Sequence, residues 1–221
     1  MQYMGSKRKL SKKIIPILQE NRDGRTWVEP FVGGANMIDK VCGARLGSDN
    51  NKYLISLLKA VQMGWEPPEN VSFEQYMDIR KNPELYTEYL VGFVGFLCSF
   101  GGKWFGGYAR NSQGFNYAGI GKRSLMKQKK DIESVVFYCR DYNELDLPEN
   151  SLVYCDPPYE GTTAYTNRFS NERFWNWCRK ISNDGHMVFV SEYNAPKDFI
   201  CLSEFAEVTK LSKNNRKNRT E

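Results

Sequence analysis

Over residues 26–63 the sequence alternates between short apolar runs and helical patterns, then drops that rhythm until near residue 134. Residues 26–32 are apolar and rich in β-formers, and they end at Gly33 and Gly34. The stretch near 36–41 then favours a helix. A second short strand at 44–47 leads to Asp49, Asn50 and Asn51. Leu54, Ile55, Leu57, Leu58 and Val61 recur at helical spacing. Such a β-α-β-α opening starts a doubly wound parallel sheet with right-handed crossovers.

The break comes at Gly64, Trp65, Glu66, Pro67 and Pro68. Residues 72–98 are predicted helical, and 100–121 form a loop region rich in glycine and aromatics, closed by the basic stretch 122–130. Strand signals return at 135–139, 151–155 and 186–190, with a helix over 171–181. The expected fold class is therefore α/β: a doubly wound, Rossmann-like sheet from residues 1–63 and 132–221, interrupted by a mainly helical insertion at 64–131. A length of 221 residues suits one core plus an insertion.

Composition removes other classes. With 41% hydrophobic and 26% charged residues, the chain is neither a disordered tail nor a fibre nor a coiled coil. Its longest uncharged run, residues 89–102, is fourteen residues, short of the roughly 20 a membrane helix needs. Lys7, Arg8 and Lys9 leave no space for a secretory apolar region. A cytoplasmic location away from membranes is expected, with the six cysteines reduced. The single histidine, His186, opens a strand, where a structural role is expected, and no metal is expected. The net charge is +5, and fifteen of the 31 basic residues fall within 7–13, 122–130 and 210–219. Clustered base points to a polyanion partner.

The sharpest motif is Asp156, Pro157, Pro158 and Tyr159, directly after an apolar strand. It lies at the carboxyl edge of the sheet, where α/β proteins bind ligands. Proline fixes φ and stiffens the residue before it. The result is a rigid pair of acceptors, a carboxylate and a carbonyl, beside an aromatic ring. An exocyclic base amine is a poor nucleophile because its lone pair is delocalised. Two acceptors that take its N–H groups aim the lone pair outward and stabilise the charge that develops. Tyr159 can stack on a flipped base.

Four stretches together resemble the Dam-type DNA adenine N6-methyltransferases, with a target-recognition domain between cofactor and catalytic motifs. Tyr3 to Lys7 is similar to the family's aromatic-x-Gly-small-Lys motif, and Glu29 to Gly34 resembles its glycine-rich cofactor motif. Asp49 and Asn50 resemble the acidic end of its second strand, and residues 156–159 carry its catalytic motif complete. The resemblance implies S-adenosylmethionine as cofactor, bound by Tyr3, Lys7, Glu29, Phe31, Gly33, Gly34, Asp49, Asn50 and Asp156. Asp141 and Tyr142 resemble the pair near the cofactor's adenine. The physical reading agrees in part: glycines permit close backbone approach, and Asp49 can accept from ribose hydroxyls or cap the next helix.

The insertion is expected to read double-stranded DNA. Lys103, Arg110, Lys122, Arg123 and Lys127 are expected on phosphates, and Arg110, Asn111 and Asn116 on base edges. Trp104, Phe105 and Tyr108 pack a small core equally well. The expected reaction is methyl transfer to N6 of a flipped adenine by a protein monomeric in solution, in a phage or restriction–modification setting. The alternatives are cytosine N4 methylation, or a truncated, weakly catalytic DNA-binding homologue. The last prompts attention to the C-terminus: after 208–211 the chain turns polar and basic, and the antiparallel strand partner usual in the family is expected to be missing.

Overall fold

In the computed structural model, residues 1–111, 114–159, 169–208 and 218–220 are described. The basic residues 210–217 and part of the 110–116 loop lie outside them. Five parallel strands form the sheet: β1 (Trp27–Glu29), β2 (Arg45–Ser48), β3 (Val136–Tyr138), β4 (Leu152–Cys155) and β5 (Met187–Val190). Their order is β3-β2-β1-β4-β5. The chain winds outward from β1 to β3, then crosses back to β4 on the other side of β1. The reversal between β1 and β4 opens a crevice at the carboxyl ends of these strands.

Alternate strand residues enter opposite cores, as a period of two requires. Trp27, Leu152 and Tyr154 join one cluster, while Val28, Val153 and Cys155 join the other. The second face is covered by α6 (Asn171–Asn183), whose Phe174, Cys178 and Ile181 repeat at helical spacing after the Ser170 cap.

The first face is covered by α1 (Ser11–Glu20), α2 (Lys52–Gln62), α4 (Glu88–Leu97) and α5 (Tyr117–Ile132). Asn51 caps α2 by accepting from Leu54 N–H at 3.1 Å. Gly92 lets α4 approach α2 closely: a Cβ there would stand 2.2 Å from the Tyr53 carbonyl oxygen. Segment 64–131 does not build a core apart. Its Val91, Phe93, Leu97 and Leu125 lie in one cluster with Leu54, Leu58 and Trp27.

Several local expectations change. The helix expected over 72–98 is two helices, α3 (Phe73–Lys81) and α4, because Pro83 lacks an N–H and pushes Asn82 out of helical geometry. The stretch near 36–41 supports only a short 3-10 turn, Ile38–Lys40. The end of the expected loop region and all of the basic stretch 122–130 lie in α5, which contains Gly119 and Gly121. Gly121 packs on Leu97, where a Cβ would be 2.9 Å from Leu97 Cβ. Finally, the missing strand partner is present. β6 (Ala206–Val208) pairs antiparallel with β7 (Asn218–Thr220), because ladder bonds come from the backbone and a polar tail can supply them. His186 has the structural role expected: its Nδ1 accepts from Ser151 N–H at 3.1 Å. All six cysteines are free thiols.

Candidate active site

Beyond β1 the chain turns over the end of β2. Val32 N–H donates to Ser48 O at 2.8 Å, and Gly33 N–H to Asp49 Oδ2 at 3.2 Å. Asp49 Oδ1 accepts from Asn51 N–H at 2.9 Å, so one carboxylate ties the glycine turn to the start of α2. Gly33 has φ +48, a conformation that favours glycine. The space above the turn is filled by Tyr3. A Cβ at Gly33 would meet its ring at 2.9 Å, and one at Gly34 its Cβ at 2.7 Å. From α5, Gln128 donates to the Gly34 and Ala35 carbonyls at 3.1 and 3.0 Å, and clamps the turn from below.

Beyond β4, Pro157 is buried and Asp156 retains 21% side-chain exposure. Lys7 Nζ lies 3.0 Å from Asp156 Oδ1 and 4.5 Å from the centre of the Tyr159 ring, with only 7% of its side chain exposed. Lys7 is set by a 3-10 turn, Lys7–Lys9, whose Ser6 cap accepts from Arg8 N–H at 3.2 Å. Tyr159 also meets Tyr193 edge to face at 4.6 Å. Tyr193 follows β5, where Ser191 N–H donates to Cys155 O at 2.9 Å and Ser191 Oγ pairs with Tyr154 Oη at 2.8 Å. Ser191 and Tyr193 are neighbours of the motif that sequence reasoning missed. Their place at the carboxyl end of a parallel strand was the available signal.

Two acids line the crevice ends of β1 and β2. Glu29 is 3% exposed and accepts from Trp27 Nε1–H at 2.8 Å. Burial drives its carboxyl well above the usual range, opposed by that hydrogen bond and reinforced by Asp39 and Asp156. Burial also lifts Asp49 to about 6, against the pull of the Asn51 and Gly33 amides. Asn50 is exposed. On the other face of the sheet, Phe31 meets Tyr142 at 5.3 Å, and both pack on Phe174. Tyr142 is only 5% exposed, and Asp141 caps its 3-10 turn by accepting from Asn143 N–H at 3.4 Å.

Several of the expected DNA-reading residues are engaged within the protein. Asn116 caps α5, accepting from Gly119 N–H at 2.9 Å while donating to Glu69 O and Asn70 Oδ1. Asn111 accepts from Phe115 N–H at 3.1 Å and donates to Tyr117 Oη at 3.4 Å. Lys122 pairs with Glu66 at 3.4 Å and Glu69 at 3.7 Å, and Arg123 with Glu69 at 3.7 Å. Lys103, Arg110 and Lys127 are exposed, with Arg110 over the Phe73 ring at 6.0 Å. Trp104, Phe105 and Tyr108 pack: Trp104 stacks on Tyr53 at 5.3 Å, and Phe105 and Tyr108 meet Tyr76.

The sequence matches the D12 class N6 adenine-specific DNA methyltransferases over residues 3–91 and 101–212. The chain belongs to this family. It is 28% identical over 207 residues to the DNA adenine methylase of Vibrio cholerae serotype O1, covering 79% of this chain and 70% of that protein. It is 26% identical over 205 residues to the type II methyltransferase M.FokI of Planomicrobium okeanokoites. That match covers 81% of this chain and 31% of that longer protein, so the chain spans about a third of the relative. In this D12-class chain the family match takes in both the glycine turn and residues 156–159. Among the described residues no cluster of His, Cys, Asp or Glu could hold a metal, and no helix is long and apolar enough to cross a membrane.

Proposed function

We propose that this chain methylates N6 of an adenine flipped out of duplex DNA, using S-adenosylmethionine. The observation that carries this is the convergence of Asp156, Tyr159 and Lys7 with the Gly33–Gly34 turn at the switch point of the sheet.

The cofactor's chemistry fits the residues present. Glu29 and Asp49 are raised acids at the crevice ends of β1 and β2. Glu29 suits an amino group that arrives as a cation, and Asp49 suits a ribose diol. Tyr3 covers the glycine turn between them. When bound, S-adenosylmethionine supplies an electrophilic methyl carbon on a sulfonium.

The chain's own residues prepare the amine. A carboxylate has about four acceptor sites, so the Lys7 contact leaves Asp156 capacity for an amine N–H. The backbone carbonyl beside Pro157 is the second acceptor. Together they hold the amine so that its lone pair points out of the ring plane. Asp156 also stabilises the positive charge that grows on nitrogen, and receives the proton that the nitrogen sheds. Lys7 holds Asp156 in place through this ion pair, a task distinct from the cofactor contact implied by the sequence resemblance.

The test is methyl transfer to DNA with tritiated cofactor. Asp156→Ala should lower the rate by about 10²-fold or more, while calorimetry shows cofactor affinity falling much less. Transfer near the wild-type rate in that variant would remove Asp156 from the reaction.

A further inference from the structure

The structure divides the five cations of residues 7–13 between two jobs. Lys7 turns inward onto Asp156 and Tyr159. Arg8, Lys9, Lys12 and Lys13 are exposed. Among the described residues these four form no ion pair, and Lys13 lies over the Phe205 ring at 5.6 Å. No acid stands in the first turn of α1, where a helix favours negative charge. The cations there oppose the helix's own field, so helix stability does not explain them.

Lys122 and Arg123 differ, because Glu66 and Glu69 already face them. A phosphate must compete with an acid for such a cation, and its binding releases fewer counterions than binding to an unpaired one.

We propose that Arg8, Lys9, Lys12 and Lys13 form a phosphate-binding lip that grips the DNA backbone beside the flipped nucleotide. This rests on the reading of the crevice as an adenine methyltransferase site. The lip belongs to the same short stretch of chain as Lys7, so its position relative to Asp156 is fixed by that ion pair. Arg8 and Lys9 lie in the 3-10 turn and Lys12 and Lys13 in the first turn of α1, so all four fall within six residues of chain. One DNA strand carries a phosphate about every 3.4 Å of axis, so the lip spans neighbouring phosphates on one strand.

The experiment is anisotropy of a labelled duplex titrated with wild type and with the variant Arg8→Ala, Lys9→Ala, Lys12→Ala, Lys13→Ala, from about 50 to 200 mM salt. Each phosphate contact contributes about 0.9 to the slope of log K against log salt. The quadruple variant should lose about 2 or more of that slope and about tenfold or more in low-salt affinity. Its cofactor affinity by calorimetry should be unchanged. Lys122→Ala with Arg123→Ala should change the slope by less than about 1. An unchanged slope in the quadruple variant, or a larger loss from the Lys122 and Arg123 pair, overturns the lip. If wild type binds no duplex at all, the lip and the proposed function fail together. Binding by wild type with no effect of the lip overturns the lip alone. Should the quadruple variant melt early, Lys12→Gln with Lys13→Gln should lose about half as much slope, and no loss there overturns the proposal equally.

Discussion

A lysine ammonium 3.0 Å from Asp156 and 4.5 Å from the Tyr159 ring stands where carboxylate and ring would otherwise face water. The stiffness of Asp156 was legible from Pro157, because proline acts on its immediate neighbours. The Lys7 contact was not, because no local rule links positions so far apart in the chain. The ring matters here more than its hydroxyl. Tyr159→Phe keeps a face for Lys7 and for a base, whereas Tyr159→Ala removes both. Turnover in single-turnover kinetics should therefore fall about tenfold or more further in Tyr159→Ala, given about 1–3 kcal/mol per stacked base. Equal losses would take stacking away from Tyr159. Asp49 gives a pH signature at the same scale. Its folded-state pKa is raised from 3.8 to about 6, so it carries a proton below about 6 and is a full acceptor above it. Cofactor affinity measured by calorimetry should weaken as pH falls through about 6, by up to about tenfold per unit. In Asp49→Asn that dependence should flatten.

Among the elements, the strands and the helical character of residues 72–98 were readable, and α5 was not. β1, β4 and β5 fall on the expected short strands between turn residues, and so does β2 near 44–47; β1 and β4 are buried along their whole length, as parallel strands covered on both faces are. α5 was hidden by its glycines, which lower helix propensity. They serve contact instead, as Gly121 against Leu97 shows. Gly92 makes this testable. Alanine would favour the helix by about 1 kcal/mol, but its Cβ would stand 2.2 Å from the Tyr53 carbonyl oxygen, a backbone atom that cannot swing away. Overpacking of this kind costs about 1–3 kcal/mol. Gly92→Ala should lower the melting temperature by several degrees, and a rise would mean that α2 and α4 are not in such close contact.

At the scale of the whole molecule, the interruption of the α/β rhythm was read as a boundary between domains, and the packing bears on what kind of boundary it is. Leu54, Leu58 and Trp27 come from the first part of the chain, Phe93, Leu97 and Leu125 from the insertion, and Leu152 and Tyr154 from the return to the sheet, yet all belong to one buried cluster. Gln128 of α5 further bonds the glycine turn after β1. Sequence rhythm reports where strands and helices alternate. It does not report which helices share a core, because that depends on faces that meet only after folding. A shared core makes unfolding cooperative. Heating should therefore give one calorimetric transition, with calorimetric and van't Hoff enthalpies equal. Tryptophan fluorescence, which reports on Trp27 within the sheet and Trp104 within the insertion, should follow the same curve as far-UV circular dichroism. Phe93→Ala, which removes a fully buried ring from the insertion's share of the core, should lower stability by about 3–5 kcal/mol and shift both signals together. Two resolved transitions, or a Phe93→Ala effect confined to one probe, would show that residues 64–131 fold on their own and that the cluster joins two separable units.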